Sequence, residues 1–272
     1  MRSEQPRGER QVGGPRPPTT SSGCGRGAGG GPKAGEHVAG SGRWPPCAGR
    51  SDGPPGGHAR RLRQAASQPL PNWREVYESF SPVDIETGER LSRSLPAEED
   101  ARRAAVLVPV LLEPDGARLV YTVRKDHLND HAGQISFPGG GLDARDESLL
   151  DTALREAEEE IDLSRDLVEV IGALEDMYIP PSNFRVSPYV GLLPPEAEMV
   201  IAPDEVEEIF TVSLRTLMAP KTFRKVLWQR DGRDYEVPVF AVEAPEPRNI
   251  WGATAGMTAA LLTRLGWQEH LR

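Results

Sequence analysis

Short runs rich in aliphatic and β-branched residues recur along the chain at 104–112 (AAVLVPVLL), 119–124 (LVYTVR), 135–137 (ISF), 167–174 and 186–193, and they predict strands. Asp115-Gly116 marks a turn between the first two. From 226 to 242 two alternating runs flank Asp231-Gly232, the composition of a tight hairpin turn. Helical spacing takes over at 149–161 and at 253–265 (ATAGMTAALLTRL), and 72–79, with Trp73, Val76 and Tyr77, predicts a short helix. Residues 82–100 read as polar connection. Strands on both sides of one central helix, plus a terminal helix, predict a mixed-sheet α/β sandwich.

The central helix carries the candidate chemistry. Leu149, Leu150, Ala153, Leu154, Ala157 and Ile161 fill one arc of a wheel with about 100° per residue, and Asp146 is the expected N-cap. Glu156, Glu159 and Glu160, at i, i+3 and i+4, share an adjoining arc, where like charges repel by a few tenths of a kcal/mol per pair. A hard divalent cation with oxygen ligands compensates such a face; a solvated acidic surface is the alternative.

Composition divides the chain. Residues 1–66 hold 16 of the 28 glycines, with 11 Lys and Arg against 4 Asp and Glu, about +7. The remainder has 21 against 37, about −16, which together give the net −9. A stretch without apolar pattern does not bury enough surface to offset ordering entropy, so 1–66 is expected to be a disordered tail and 67–272 a single folded domain. The tail's Cys24 and Cys47, with His37 and His58, match no zinc spacing, and the folded part has no cysteine, hence no thiol nucleophile. No apolar run nears the length of about 18 residues needed to span a bilayer, and no signal-peptide core follows Met1. A cytoplasmic protein with no membrane and no specific nucleic-acid partner is expected.

Gly141, Glu147, Arg155, Glu156, Ala157, Glu159, Glu160 and Leu163 fit G-x5-E-x7-R-E-U-x-E-E-x-G-U, where U is aliphatic. This resembles the Nudix box. Asp162 stands where the box has glycine, just past the helix end, and aspartate tolerates the left-handed backbone commonly needed there. Upstream, residues 119–140 (LVYTVRKDHLNDHAGQISFPGG) resemble the coenzyme A pyrophosphatase branch of the Nudix hydrolases. Arg124, Leu128, His131, Gly133, Gln134, Ser136, Phe137, Pro138, Gly139 and Gly140 match as they stand, whereas Asp126 replaces the usual serine and Asn129 the usual arginine. The stretches 184–193, 204–214 and 250–255 are also similar to segments of that branch.

The resemblance implies a Nudix-type mixed-sheet α/β/α sandwich and a diphosphatase dependent on Mg²⁺ or Mn²⁺. It acts on a small-molecule substrate, coenzyme A or acyl-CoA, and yields 3′,5′-ADP and 4′-phosphopantetheine or its acyl form; a homodimer is an admissible assembly. Glu156, Glu159 and Glu160 are the expected metal ligands, with Glu159, Glu160 and Arg155 in the catalytic group. Arg155 is expected to orient neighbouring carboxylates. Arg124, Lys125, His131, Gly139 and Gly140 are the expected substrate contacts, Arg124 because a guanidinium binds phosphate bidentately. For Lys125 a solvated strand-end charge is the competing reading, for His131 a packed histidine, and for the glycines a simple turn. Glu205, Glu207 and Glu208 read as an exposed acidic loop, with a distant base or metal ligand as the alternative. Another Nudix diphosphatase, acting on ADP-ribose or a nucleotide sugar, is the alternative; a non-catalytic nucleotide-sensing module comes after it.

Overall fold

A computed structural model of the chain describes residues 57–91, 100–125, 133–243 and 246–269. In chain order these form α1 (Gly57–Ala66), α2 (Trp73–Ser79), β1 (Val83–Asp84), β2 (Arg102–Glu113), β3 (Gly116–Arg124), β4 (Ile135–Ser136), β5 (Gly139–Gly141), α3 (Leu149–Ile161), β6 (Glu169–Ala173), β7 (Met177–Ile179), β8 (Phe184–Leu193), β9 (Val206–Ser213), α4 (Leu214–Met218), β10 (Phe223–Arg230), β11 (Arg233–Val242), β12 (Arg248–Trp251) and α5 (Gly252–Arg264).

The continuous apolar run of β2 makes it a central strand, buried from both sides. It pairs in parallel with β8 and antiparallel with β3, in an eight-stranded mixed sheet of order β4-β3-β2-β8-β6, with β5, β7 and β9 added on β2, β8 and β3. A second sheet of order β1-β11-β10, extended by β12, is antiparallel throughout. The hairpin between β10 and β11 turns at Asp231 and Gly232, both at positive φ (51° and 75°), as the sequence predicts.

Helices cover both faces of the large sheet. On one, Ala153, Ala157 and Ile161 of α3 pack on Ala105, Leu107, Val120 and Leu193. On the other, α1, α2 and α5 join the second sheet around Tyr121, Phe210, Phe240 and Trp267. The expected mixed α/β/α sandwich is therefore the observed one. Among the described residues no helix is long and apolar enough to cross a membrane.

One boundary needs correction. The tail was expected to extend to residue 66, yet Gly57–Ala66 is a helix whose Ala59, Leu62, Ala65 and Ala66 are buried against the core. Three arginines around a single leucine hide the pattern, because small alanines supply the rest of the buried stripe. Burying Leu62 alone contributes about 1.5–3 kcal/mol. Residues 1–56, the rest of that expected tail, lie outside the described residues.

Candidate functional site

β2 and β3 pair along Val110–Glu113 and Gly116–Leu119. Beyond this ladder β5 pairs with Ala104–Val106 and β4 with Thr122–Val123. The glycines expected to cradle phosphate or turn the chain are thus a strand, which closes the free edge of β2. Helix α3 lies across them. Its N-cap is Ser148, whose side chain accepts from the Asp151 amide, and Asp146, expected in that role, is engaged elsewhere. Asp162 ends the helix in the left-handed conformation (φ 51°, ψ 31°), and the amides of Asp162 and Leu163 return to Glu158 and Ala157. This is the cap that the missing glycine would otherwise provide.

Glu160 points inward. It is 2 % exposed. Its Oε1 accepts from Arg124 Nη1 at 3.0 Å and its Oε2 from the Gly139 amide at 3.3 Å. Burial pushes its carboxyl up to about 7; Arg124 opposes this, and the charges of Glu156 and Glu205 add to it. Glu156 lies against Gly140, where a Cβ would stand 2.5 Å from its Oε1, so a side chain there would displace the carboxylate. Burial raises its carboxyl as well, against the pull of Arg155. Glu159 faces outward, one oxygen on Arg155 Nη1 (2.8 Å) and the other on Arg145 Nη2 (2.9 Å).

Arg155 is the organiser. Asp146, with a side chain 1 % exposed, grips it through Nε (2.7 Å) and Nη2 (3.0 Å), which frees Nη1 for Glu156 and Glu159. The Asp146 carboxyl is held well below the usual carboxylate range by this pair, and Arg155 is raised in turn. Asp146 as anchor was not legible, because its partner lies nine residues on. Of the stretch read as an exposed acidic loop, Glu205 is an exposed turn residue as expected, whereas Glu207 and Glu208 lie in β9; the Lys125 amide donates to the Glu205 carbonyl (3.1 Å). The charge of Glu205 reaches both Glu156 and Glu160.

The structure thus brings Arg124, Gly139, Gly140, Glu156 and Glu160 together. Lys125 turns its ammonium to the Pro203 carbonyl. His131 lies outside the described residues, as do Asp126, Leu128 and Asn129. Among the described residues no three carboxylates or imidazoles close to the spacing of a preformed cation site, since arginines hold several of the oxygens. The chemistry of the donor set nonetheless fits a hard cation: carboxylate oxygens, partly buried, with Glu156 and Glu160 both raised chiefly by burial and further by neighbouring carboxylates.

Residues 101–231 match the NUDIX domain family. A Nudix hydrolase named NudL from Yersinia pestis, described as uncharacterized, is 38% identical over 154 residues, 57% of this chain and 75% of that protein. The chain belongs to the Nudix hydrolase family. NudL of Yersinia pseudotuberculosis matches to the same extent. Among solved structures, a MutT/nudix family protein from Enterococcus faecalis has a TM-score of 0.42 at 15% identity, covering 74% of this chain and 76% of that one. The Nudix segment 101–231 runs from the first residues of β2 to the β10–β11 turn, and it contains α3 and its glycine floor.

Proposed function

We propose that this Nudix hydrolase cleaves the diphosphate of coenzyme A or its thioesters, releasing 3′,5′-ADP and 4′-phosphopantetheine or its acyl form. The observation that carries the reading is the junction of two motifs. Arg124, the first matching position of the coenzyme A-like segment, donates to Glu160 of the Nudix helix, and Gly139, near the end of that segment, donates to the same carboxylate. Within the segment, Arg124 is tied to Gly133 and Gln134 by paired backbone bonds: Arg124 N to Gln134 O (3.0 Å) and Gly133 N to Arg124 O (2.9 Å).

Glu156, Glu159 and Glu160 would hold Mg²⁺ or Mn²⁺, which when bound neutralises charge on the diphosphate oxygens. Arg155, fixed by Asp146, orients Glu156 and Glu159. Arg124 orients Glu160 and keeps its other N–H groups for a phosphate oxygen. A glutamate of this group takes the proton of the attacking water. Gly139 and Gly140 form the floor against which these carboxylates rest.

Incubation with coenzyme A, ADP-ribose or NADH in Mg²⁺ or Mn²⁺, followed by separation of products, tests the reading. Coenzyme A should yield 3′,5′-ADP and 4′-phosphopantetheine. Turnover of ADP-ribose with coenzyme A left intact would refute the substrate assignment.

A further inference from the structure

Among the three helix carboxylates, Glu159 is the one with a different arginine at each oxygen. Its Oε2 accepts from Arg155 Nη1 (2.8 Å) and its Oε1 from Arg145 Nη2 (2.9 Å). A divalent cation approaching Glu159 therefore meets a guanidinium at either oxygen, and like charges at that range repel. One arginine has to give way, and the two are not equally free to do so. Arg155 is gripped by Asp146 through two of its nitrogens, on a side chain 11 % exposed. Arg145 is 60 % exposed, and among the described residues its guanidinium otherwise meets only Asp143, at 3.6 Å.

The backbone of Arg145, by contrast, is fixed. Its amide donates to Asp143 Oδ1 (3.0 Å), the Asp143 amide to Asp146 Oδ2 (2.9 Å), and the Asp146 amide to the Asp143 carbonyl (3.0 Å). These bonds close a turn on Asp146, the anchor of Arg155, so Arg145 is a long arm on a rigid base beside the carboxylates. An exposed ion pair such as Arg145–Glu159 is weak and gives way at little cost. The freed guanidinium presents a planar fork of donors that matches phosphate oxygens. We propose that Arg145 is an exchangeable counter-charge: it holds Glu159 in the metal-free protein, yields it when a divalent cation loads, and then contacts a diphosphate oxygen of the substrate. The assignment rests on the carboxylate face being the cation site, and not on which diphosphate is cleaved.

Calorimetric titrations of the full chain test it with two probes. One is Mn²⁺ added to the metal-free protein; the other is methylenediphosphonate, a diphosphate that resists hydrolysis, added in excess Mn²⁺. In Arg145→Ala, Mn²⁺ should bind about two- to fivefold tighter and methylenediphosphonate about two- to fivefold weaker, the range of an exposed charge pair. Arg165→Ala removes an equal charge beside the same helix, where Glu158 and Asp151 hold it, and should shift each affinity by less than about twofold. Both arginines are exposed, so both variants keep the fold. Weaker Mn²⁺ binding in Arg145→Ala would make this arginine a positioning residue and overturn the proposal. An unchanged affinity for either probe overturns it too, as do shifts that Arg165→Ala reproduces, which a general field effect would give. Wild-type protein that binds no Mn²⁺ refutes the cation face itself, whereas wild-type binding that Arg145→Ala leaves untouched refutes this inference alone.

Discussion

Asp146→Asn is the perturbation whose size follows most directly from the geometry. The carboxylate accepts two bonds from Arg155, one from Thr152 Oγ1 (2.8 Å) and one from the Asp143 amide (2.9 Å), in a site where its side chain is 1 % exposed and that of Arg155 11 %. An amide of the same shape keeps at most part of this set, turns an N–H toward the guanidinium, and leaves Arg155 charged without its partner. Breaking a buried pair in this way costs about 3–5 kcal/mol, and the partial exposure of Arg155 places this case at the low end, about 3. For a folded part of this size that is a fall in Tm of about 6–12 °C. The native carboxyl titrates below its unfolded value, so its contribution is complete above about pH 4 and is lost as pH falls below that toward the depressed native value. Urea titrations of both proteins followed by circular dichroism should therefore show the same gap at pH 6 and pH 8, and a smaller one at pH 3. A gap under about 1 kcal/mol at neutral pH, or one that widens in acid, would refute the reasoning.

Two further changes separate floor from frame. Gly140→Ala places a methyl 2.5 Å from Glu156 Oε1, and since the far end of a side chain yields more easily than backbone, folding stability should drop by less than about 1 kcal/mol while kcat/KM falls at least about tenfold; unchanged turnover would show that the place of Glu156 does not matter. Leu62→Ala empties a fully buried position of α1 and should cost about 3 kcal/mol by chemical denaturation with kcat preserved, whereas a loss below about 0.5 kcal/mol would mean that α1 is not part of the core.

The elements that could be read from sequence are those whose own residues carry the period. α3 shows its apolar arc, β2 is an aliphatic run broken only by Pro109 over 104–112, β8 carries Val186, Val190, Leu192 and Leu193, and Asp231-Gly232 names its turn. β5 could not be read, because three glycines have no side chains with which to show a pattern; it is a strand because Ala104–Val106 offers an open edge. β9 was obscured where Glu207 and Glu208 interrupt the alternation, at an irregularity opposite Val123 and Arg124. Within the candidate site, spacing placed Glu156, Glu159 and Glu160 on one side of the helix but not at one depth: Glu160 is buried and Glu159 is not. That difference comes from Arg124 and Gly139, which only the tertiary fold brings to the helix.

Turnover of Glu160→Gln beside Glu158→Gln tests the central claim, that the Glu156–Glu160 group is the catalytic metal face. Glu158 faces away and is held by Arg165 at 3.0 Å, so it serves as the control on the same helix. The environment of Glu160 disfavours its charged form, as its raised carboxyl shows, so the metal-free Glu160→Gln variant should be as stable as wild type or more so at and above neutral pH. Its kcat should nevertheless fall by orders of magnitude, because metal stabilisation supplies several kcal/mol of the barrier reduction and each 1.4 or so is tenfold. Glu158→Gln should stay near wild type. Equal activity of the two variants, whether both active or both dead, would contradict the account.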